Sequence, residues 1–308
     1  MARYAKVATV SLGGLGGPRE GYAERMRERA LEMLETAALE GPDIVCLPET
    51  FTGLGLPRKD WFETAEPVPG PTTDALAEFA RKHKTYVACP ILRRDGDKVY
   101  NSAVLIDRKG EVVGVYNKMH PTIPEIEAGV TPGTEAPVFE TDFGKVGFAI
   151  CFDLNFPDVA EGLKRGGAEL VLFPSMFRGG LILRMWAFQH GFYIASATPG
   201  EGSAIVDPLG RVLAQSWSYQ PIICRTVNLD FAVLHIDFNY EKWPEIKRKY
   251  GPAVEIDVSA PEGVFMLVSH HPEVSATDVI EEFGLETRDE YFRRSERARE
   301  GALRASPR

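Results

Sequence analysis

The stretch Val-Gly-Phe-Ala-Ile-Cys-Phe-Asp-Leu-Asn-Phe-Pro-Asp (146–158) changes character at its sixth residue. An apolar run with β-favouring Val, Phe and Ile leads up to Cys151, as a buried strand would. Asp153 and Asn155 then break the run, and Pro157 suits the first turn of a helix. The local reading is strand, elbow, helix, with a thiol at the elbow. A thiol there feels the helix N-terminus, which favours thiolate. Working outward, two further apolar runs end on a charged residue: Asp-Ile-Val-Cys-Leu-Pro-Glu (43–49) and Val-Val-Gly-Val-Tyr-Asn-Lys (112–118). A thiol, a carboxylate and an ammonium presented at strand ends are the parts of an acyl-transfer site. The thiol attacks, the carboxylate shuttles a proton and the ammonium stabilises the oxyanion.

Patterning along the chain predicts alternating strands and helices. Strands are expected near 5–12, 43–49, 86–92, 100–107, 111–118, 145–151, 169–174, 192–198, 203–207, 211–216, 222–230 and 263–269. Helices are expected near 18–40, 74–84, 157–166 and 181–191. The segment 119–136, rich in Pro, Gly and Glu, reads as a long loop of the kind that often carries function. Residues 231–262 read as a surface or interface segment, and 276–304 as a charged helical tail.

The contexts of the three charged or nucleophilic residues resemble the nitrilase superfamily, the carbon–nitrogen hydrolases with a Glu–Lys–Cys triad. They read Leu-Pro-Glu-Thr-Phe (47–51), Asn-Lys-Met-His-Pro-Thr (117–122) and Ile-Cys-Phe-Asp-Leu-Asn-Phe-Pro-Asp (150–158). The resemblance implies an α/β fold, a four-layer α-β-β-α sandwich. It implies Cys151 as nucleophile, Glu49 as proton shuttle and Lys118 as oxyanion partner, with the Phe152 N–H as second donor. It also suggests Glu125, in the run from Lys118 to Glu125, as a second carboxylate that positions lysine and substrate; Glu127 competes for that role. His120 is read as a pocket-wall group, and Arg178 as a group that could meet a substrate carboxylate. The hydrolase domain is expected over residues 1–270, with a helical extension over 271–308, possibly at a subunit interface. The family's outer-helix pairing implies a homodimer or higher oligomer. Here Leu183, Met185, Trp186, Phe188 and Phe192 are the apolar groups offered.

Within that superfamily two cues compete. The Lys-x-x-Pro-Thr-x-x-Glu run (118–125) resembles nitrilases, which act on nitriles. Nitrilases usually carry Cys-Trp-Glu at the nucleophile, whereas this chain has Cys151-Phe152-Asp153, closer to amidases and N-carbamoyl amidohydrolases. Hydrolysis of a small linear amide or N-carbamoyl compound through a thioester, with release of ammonia, is therefore favoured. Gln189-His190 stand where the family usually has Glu-Asn, which puts local helix contacts in question.

Composition sets the outer bounds. The chain has 308 residues and a net charge of −9, with no Lys/Arg-rich run, so nucleic acid is not expected as a partner. No apolar stretch has the ~18–20 residues of a membrane span, and no signal-peptide pattern opens the chain. Four Cys in a chain of this length make no disulfide framework, which fits a reduced, cytoplasmic protein. Cys46, Cys89 and Cys224 lie in apolar runs and read as packed thiols. No metal-ligand spacing is present, so neither metal nor other cofactor is expected. The glycine-rich run 11–17 invites a dinucleotide site with Glu49 as ribose acid. It lacks the third glycine, and Glu49 lies beyond the usual spacing of about 20 residues, so a nucleotide-binding oxidoreductase is a remote alternative.

Overall fold

The computed structural model describes residues 2–305. By contact these divide into a unit over Ala5–Val227 and a second that joins the residues before Ala5 to those from Asn228 on. The strands of the first unit are β1 (Tyr4–Val10), β2 (Ile44–Cys46), β3 (Tyr86–Asp95), β4 (Lys98–Ile106), β5 (Val112–Asn117), β6 (Val138–Glu140), β7 (Lys145–Phe148), β8 (Leu170–Pro174), β9 (Tyr193–Ala197), β10 (Ala204–Val206), β11 (Val212–Gln215) and β12 (Ile222–Asn228). Its helices are α1 (Tyr22–Ala38), α2 (Pro71–His83), α3 (Ile123–Glu127), α4 (Pro157–Arg165) and α5 (Gly180–His190). The strands form two six-stranded mixed sheets, ordered β12-β1-β2-β3-β4-β5 and β11-β10-β9-β8-β7-β6.

Alternation along each strand explains why the sheets pair. In β1 and β2, Ala8, Val10 and Val45 pack with Met26, Leu34, Leu76 and Phe79 of α1 and α2. The intervening Val7, Thr9, Ile44 and Cys46 are equally buried, so they have a second partner. In β8 and β9, Val171, Phe173 and Ile194 pack with Val159, Leu163, Leu183 and Trp186 of α4 and α5. Leu170, Leu172 and Ala195 are buried on the opposite side. β2 lies against β8 and β9, so the two inner faces meet. Each sheet covers one face with helices and the other with its twin, which is the α-β-β-α order.

Several boundaries differ from the sequence reading. α1 starts at Tyr22 rather than 18, because Gly21 takes a left-handed φ of 64° just before it. The glycine run precedes it as irregular chain, and a Cβ at Gly14 would lie 2.6 Å from the Leu54 carbonyl oxygen. At Gly14 the run thus packs closely against the loop after Glu49. Of the apolar groups offered for pairing, Leu183, Trp186 and Phe192 belong to the core.

The segment 231–262 is not a surface strap. It supplies β13 (Phe231–His235), α6 (Trp243–Tyr250) and β14 (Val254–Ser259). With β15 (Val264–Ser269) these make a separate three-stranded sheet ordered β13-β15-β14. Leu234, Ile246, Val254, Phe265, Leu267 and Val279 form a core of their own there. The tail is two helices, α7 (Ala276–Phe283) and α8 (Arg288–Ala305), parted by Gly284 with φ 59°. The contact division after Val227 thus falls well before the boundary expected at 270.

Phe148 is fully buried in β7, on the face opposite the helix-side cluster. Phe148→Ala should lower the unfolding free energy by about 3–5 kcal/mol. Urea denaturation read by far-ultraviolet circular dichroism measures this, and a loss under about 1 kcal/mol would contradict the tight inter-sheet packing.

Candidate active site

Cys151 follows β7 and opens a single 3-10 turn, Cys151–Asn155, before α4 begins at Pro157. Its φ is 50°, a left-handed value that costs a non-glycine residue roughly 1–3 kcal/mol. Thr50, just after Glu49, shares the strain with φ 41°. Two of the three predicted residues thus sit on or beside backbone bent out of the common wells, as at sharp turns that aim a side chain.

Lys118 lies one residue beyond β5 and is 1% exposed. Its Nζ donates to Glu49 Oε1 at 2.8 Å and to Glu125 Oε2 and Oε1 at 2.8 and 3.0 Å. Burial alone would lower the pKa of the ammonium. The carboxylates of Glu49 and Glu125 outweigh that and hold it above the ordinary lysine value. Glu125 is shifted the other way. Burial raises its pKa, but Lys118, the Thr122 N–H and Asn101 together bring it below the usual carboxylate range. Gly133 fastens the chain here. Its N–H donates to the Lys118 carbonyl at 2.8 Å, and a Cβ on it would fall 2.1 Å from the Asn117 carbonyl oxygen.

The expected long loop contains an ordered turn. α3 opens with a reciprocal cap: Thr122 Oγ1 accepts from the Glu125 N–H, and Glu125 Oε2 accepts from the Thr122 N–H at 2.7 Å. This Thr-x-x-Glu cap, with Pro124 in the first turn, was a readable signal. It buries Glu125 beside Lys118 and leaves Glu127 exposed.

The sequence reading missed Asn101. It sits fully buried in β4, and its Nδ2 donates to Glu49 Oε1 and to Glu125 Oε1, both at 2.8 Å. Its only trace was the polar pair Asn101-Ser102 in the middle of β4. Also missed was the Met176 N–H, just past β8, which donates to Glu49 Oε2 at 3.0 Å.

The Cys151 thiol feels the Glu49 carboxylate, the Lys118 ammonium and the Met176 N–H. Burial pushes its pKa up to about 12, and the Glu49 charge adds to this, against the opposing pull of Lys118. Burial and the Glu49 charge thus act against the thiolate that a helix N-terminus would favour. α4 starts six residues on, too far to offset burial beside a carboxylate.

The remaining predicted groups are placed as follows. Phe152 is in the first turn after Cys151, where backbone N–H groups lack helical acceptors. Its ring meets Phe156 edge-on, and Phe156 stacks on the His120 imidazole at 3.9 Å. His120 Nε2 pairs with Asp158 at 2.9 Å, which occupies the imidazole away from a Cys–His arrangement. Arg178 is over half exposed and pairs with Glu201 at 2.7 Å. Cys46 and Cys89 are fully buried and Cys224 is half-buried; all are unbridged. Among the described residues, no group of three or more His, Cys, Asp or Glu is arranged to hold a metal ion. Among them, too, no helix is long and apolar enough to cross a membrane.

Comparison with known proteins identifies the family and the fold. Residues 6–233 match the family profile described as carbon–nitrogen hydrolase. Omega-amidase NIT2 of Xenopus tropicalis is 28% identical over 229 residues, spanning 66% of this chain and 83% of the relative. Beta-ureidopropionase of Arabidopsis thaliana is 34% identical over 167 residues, 51% of this chain and 41% of the relative. Nit3 of Saccharomyces cerevisiae, a nitrilase-superfamily member, superposes with a TM-score of 0.64 at 26% identity over 73% of this chain and 90% of that one. An amidase from Nesterenkonia sp. shares the fold, with a TM-score of 0.62 at 20% identity over 80% and 96% of the two chains.

A thiol whose pKa is raised by burial and by Glu49 stays protonated at neutral pH and ionises only in alkali. Ultraviolet thiolate absorbance of the wild type minus Cys151→Ala should show no titration step from about pH 6 to about 9. An inflection in that window would contradict a neutral resting thiol.

Proposed function

The chain belongs to the carbon–nitrogen hydrolase family and is an amidase-type enzyme of it; from that premise we propose that it hydrolyses a small linear amide or N-carbamoyl compound through a thioester on Cys151. The observation that carries the proposal is the buried Glu49 carboxylate, held by the Lys118 ammonium at 2.8 Å, at the seam where Cys151 opens its left-handed turn. Lys118 is held protonated, so it cannot be the base. Glu49 can: as sulfur attacks the carbonyl carbon, Glu49 takes the thiol proton. Lys118 and the Phe152 N–H face the developing oxyanion. Glu49 then passes the proton to the departing nitrogen, and ammonia leaves. Water enters, Glu49 accepts a proton from it, and the thioester is cleaved as the proton returns to sulfur. Glu125 and Asn101 position Lys118 and Glu49.

Support for amides over nitriles comes from Cys151-Phe152-Asp153 and from the named activities of the relatives, an omega-amidase and a β-ureidopropionase. The nitrile reading rests on Pro121-Thr122 with Glu125. Phe152, Phe156 and His120 offer an aromatic wall, and Arg178, tied to Glu201, is the candidate for a substrate carboxylate. A reducing compartment such as the cytoplasm suits an unprotected nucleophilic thiol.

Cys151→Ala should abolish turnover. Glu49→Gln and Lys118→Arg should each lower kcat/KM by about 10²–10⁴-fold, since one removes the proton carrier and the other replaces a compact ammonium by a broad fork. Ammonia release from matched amide, N-carbamoyl and nitrile compounds of one carbon skeleton is the assay. An active Cys151→Ala protein would end the mechanism, and a clear nitrile preference would end the substrate assignment.

Self-association is part of the same proposal. The outward face of α5 exposes Leu181 (68%), Ile182 (40%) and Met185 (43%), a contiguous apolar strip at helical spacing. Light scattering at micromolar concentration should give at least a dimer mass, reduced by Met185→Glu. A monomer mass for the wild type would refute pairing.

A further inference from the structure

Asp153 is fully buried, two residues past the nucleophile, and the mechanism above gives it no part. Its carboxylate is shared among three donors. Oδ2 accepts from the Tyr116 hydroxyl at 2.6 Å and from the Ile150 N–H at 2.8 Å; Oδ1 accepts from the His120 N–H at 2.8 Å. The identity of these donors is the point. Tyr116 is two residues before Lys118 and His120 two after it, while Ile150 directly precedes Cys151. Tyr116 closes β5 in one sheet, and Ile150 leaves β7 in the other. One side chain therefore grips both flanks of the ammonium-bearing turn and the entry to the strained elbow at Cys151, φ 50°. The same hydroxyl that reaches Asp153 also accepts from the Met119 N–H at 3.3 Å, so the grip extends through the turn.

We propose that Asp153 is a positioning residue that sets the register between Lys118 and Cys151 across the two sheets, and through it the catalytic rate. This rests on the Glu49–Lys118–Cys151 reading of the site. Its chemistry requires an acceptor-only group. Asparagine has the same shape but one oxygen. With that oxygen toward Tyr116 and Ile150, its NH₂ opposes the His120 N–H; flipped, the NH₂ opposes the Ile150 N–H. Either orientation sets donor against donor at a buried backbone group and releases one side of the seam. Because oxyanion stabilisation depends on donors held within a few tenths of an ångström, the loss should fall on kcat rather than on substrate binding.

The test measures kcat and KM for Asp153→Asn, Tyr116→Phe and the double variant, each beside its melting temperature. Asp153→Asn should lower kcat by about 100-fold with KM within about threefold, and Tyr116→Phe by about tenfold. The double variant should be no slower than Asp153→Asn alone, since both act through one carboxylate. A folded Asp153→Asn protein with kcat within about threefold of wild type overturns the proposal, as does a loss confined to KM. If Asp153→Asn does not fold, Tyr116→Phe decides, and a kcat within twofold of wild type overturns it. Cys151→Ala, assayed in parallel, separates the two claims. Activity there would break the triad reading, whereas an inert Cys151→Ala beside a normal Asp153→Asn breaks only this one.

Discussion

A lysine ammonium that is 1% exposed is the constraint around which the first unit is organised. Taking an ammonium out of water carries an effective penalty of several kcal/mol, and only close, well-oriented anions offset it. Lys118 has two, Glu49 and Glu125. Two buried carboxylates beside one cation leave an excess negative charge, and the Asn101 amide, donating to both, spreads it. Removing either carboxylate or Asn101 would leave the remainder poorly compensated. The cluster is therefore a single unit, and its members must arrive together.

That requirement explains why the fold takes the form it does. Glu49 leaves β2, Asn101 lies in β4 and Lys118 follows β5, all in one sheet. Cys151 follows β7 and Met176 follows β8, in the other. Neither sheet holds the whole site. Face-to-face packing of the two inner surfaces, driven by Val7, Ile44, Phe148, Leu170 and Leu172, brings the two half-sites to one seam. The apolar contact is non-directional and sets proximity. Register comes from polar groups that cross the seam, of which Glu49 to Met176 and Tyr116 to Asp153 are two.

This division also accounts for what could be read from the sequence. Strand ends were legible, because a run such as 146–150 followed by Cys-Phe-Asp-Leu-Asn breaks period and polarity at one point. Glu49, Lys118 and Cys151 stand out as candidates for that reason. Two sheets rather than one were not legible from pattern, since a strand buried on both faces gives the same apolar run in either case. Asn101 was hidden because a polar pair inside a strand, Asn101-Ser102, carries no period. Glu125 was legible twice, by motif and by the Thr-x-x-Glu cap, though only the motif was used. The segment 231–262 was misread because its strands are short and half-exposed, so that alternation such as Val254-Glu-Ile-Asp-Val resembles surface chain until β15 pairs with it on both sides.

The protonation state of the thiol is the property least available to sequence, and it carries the furthest consequence. An elbow before a helix argues for thiolate, but burial and a neighbouring carboxylate argue against it, and in this chain they win. A thiolate that had lost its proton to solvent would leave Glu49 with none to pass on. An enzyme with a neutral thiol beside a carboxylate keeps that proton and can hand it to the leaving nitrogen. Amide cleavage needs such a proton, because an amide nitrogen does not depart as an anion at neutral pH. The burial that makes Cys151 a poor free nucleophile thus stores the acid that the second half of the proposed acylation consumes. The burial that Glu49, Glu125 and Asn101 compensate at Lys118 and the burial that raises the Cys151 pKa have the same structural cause.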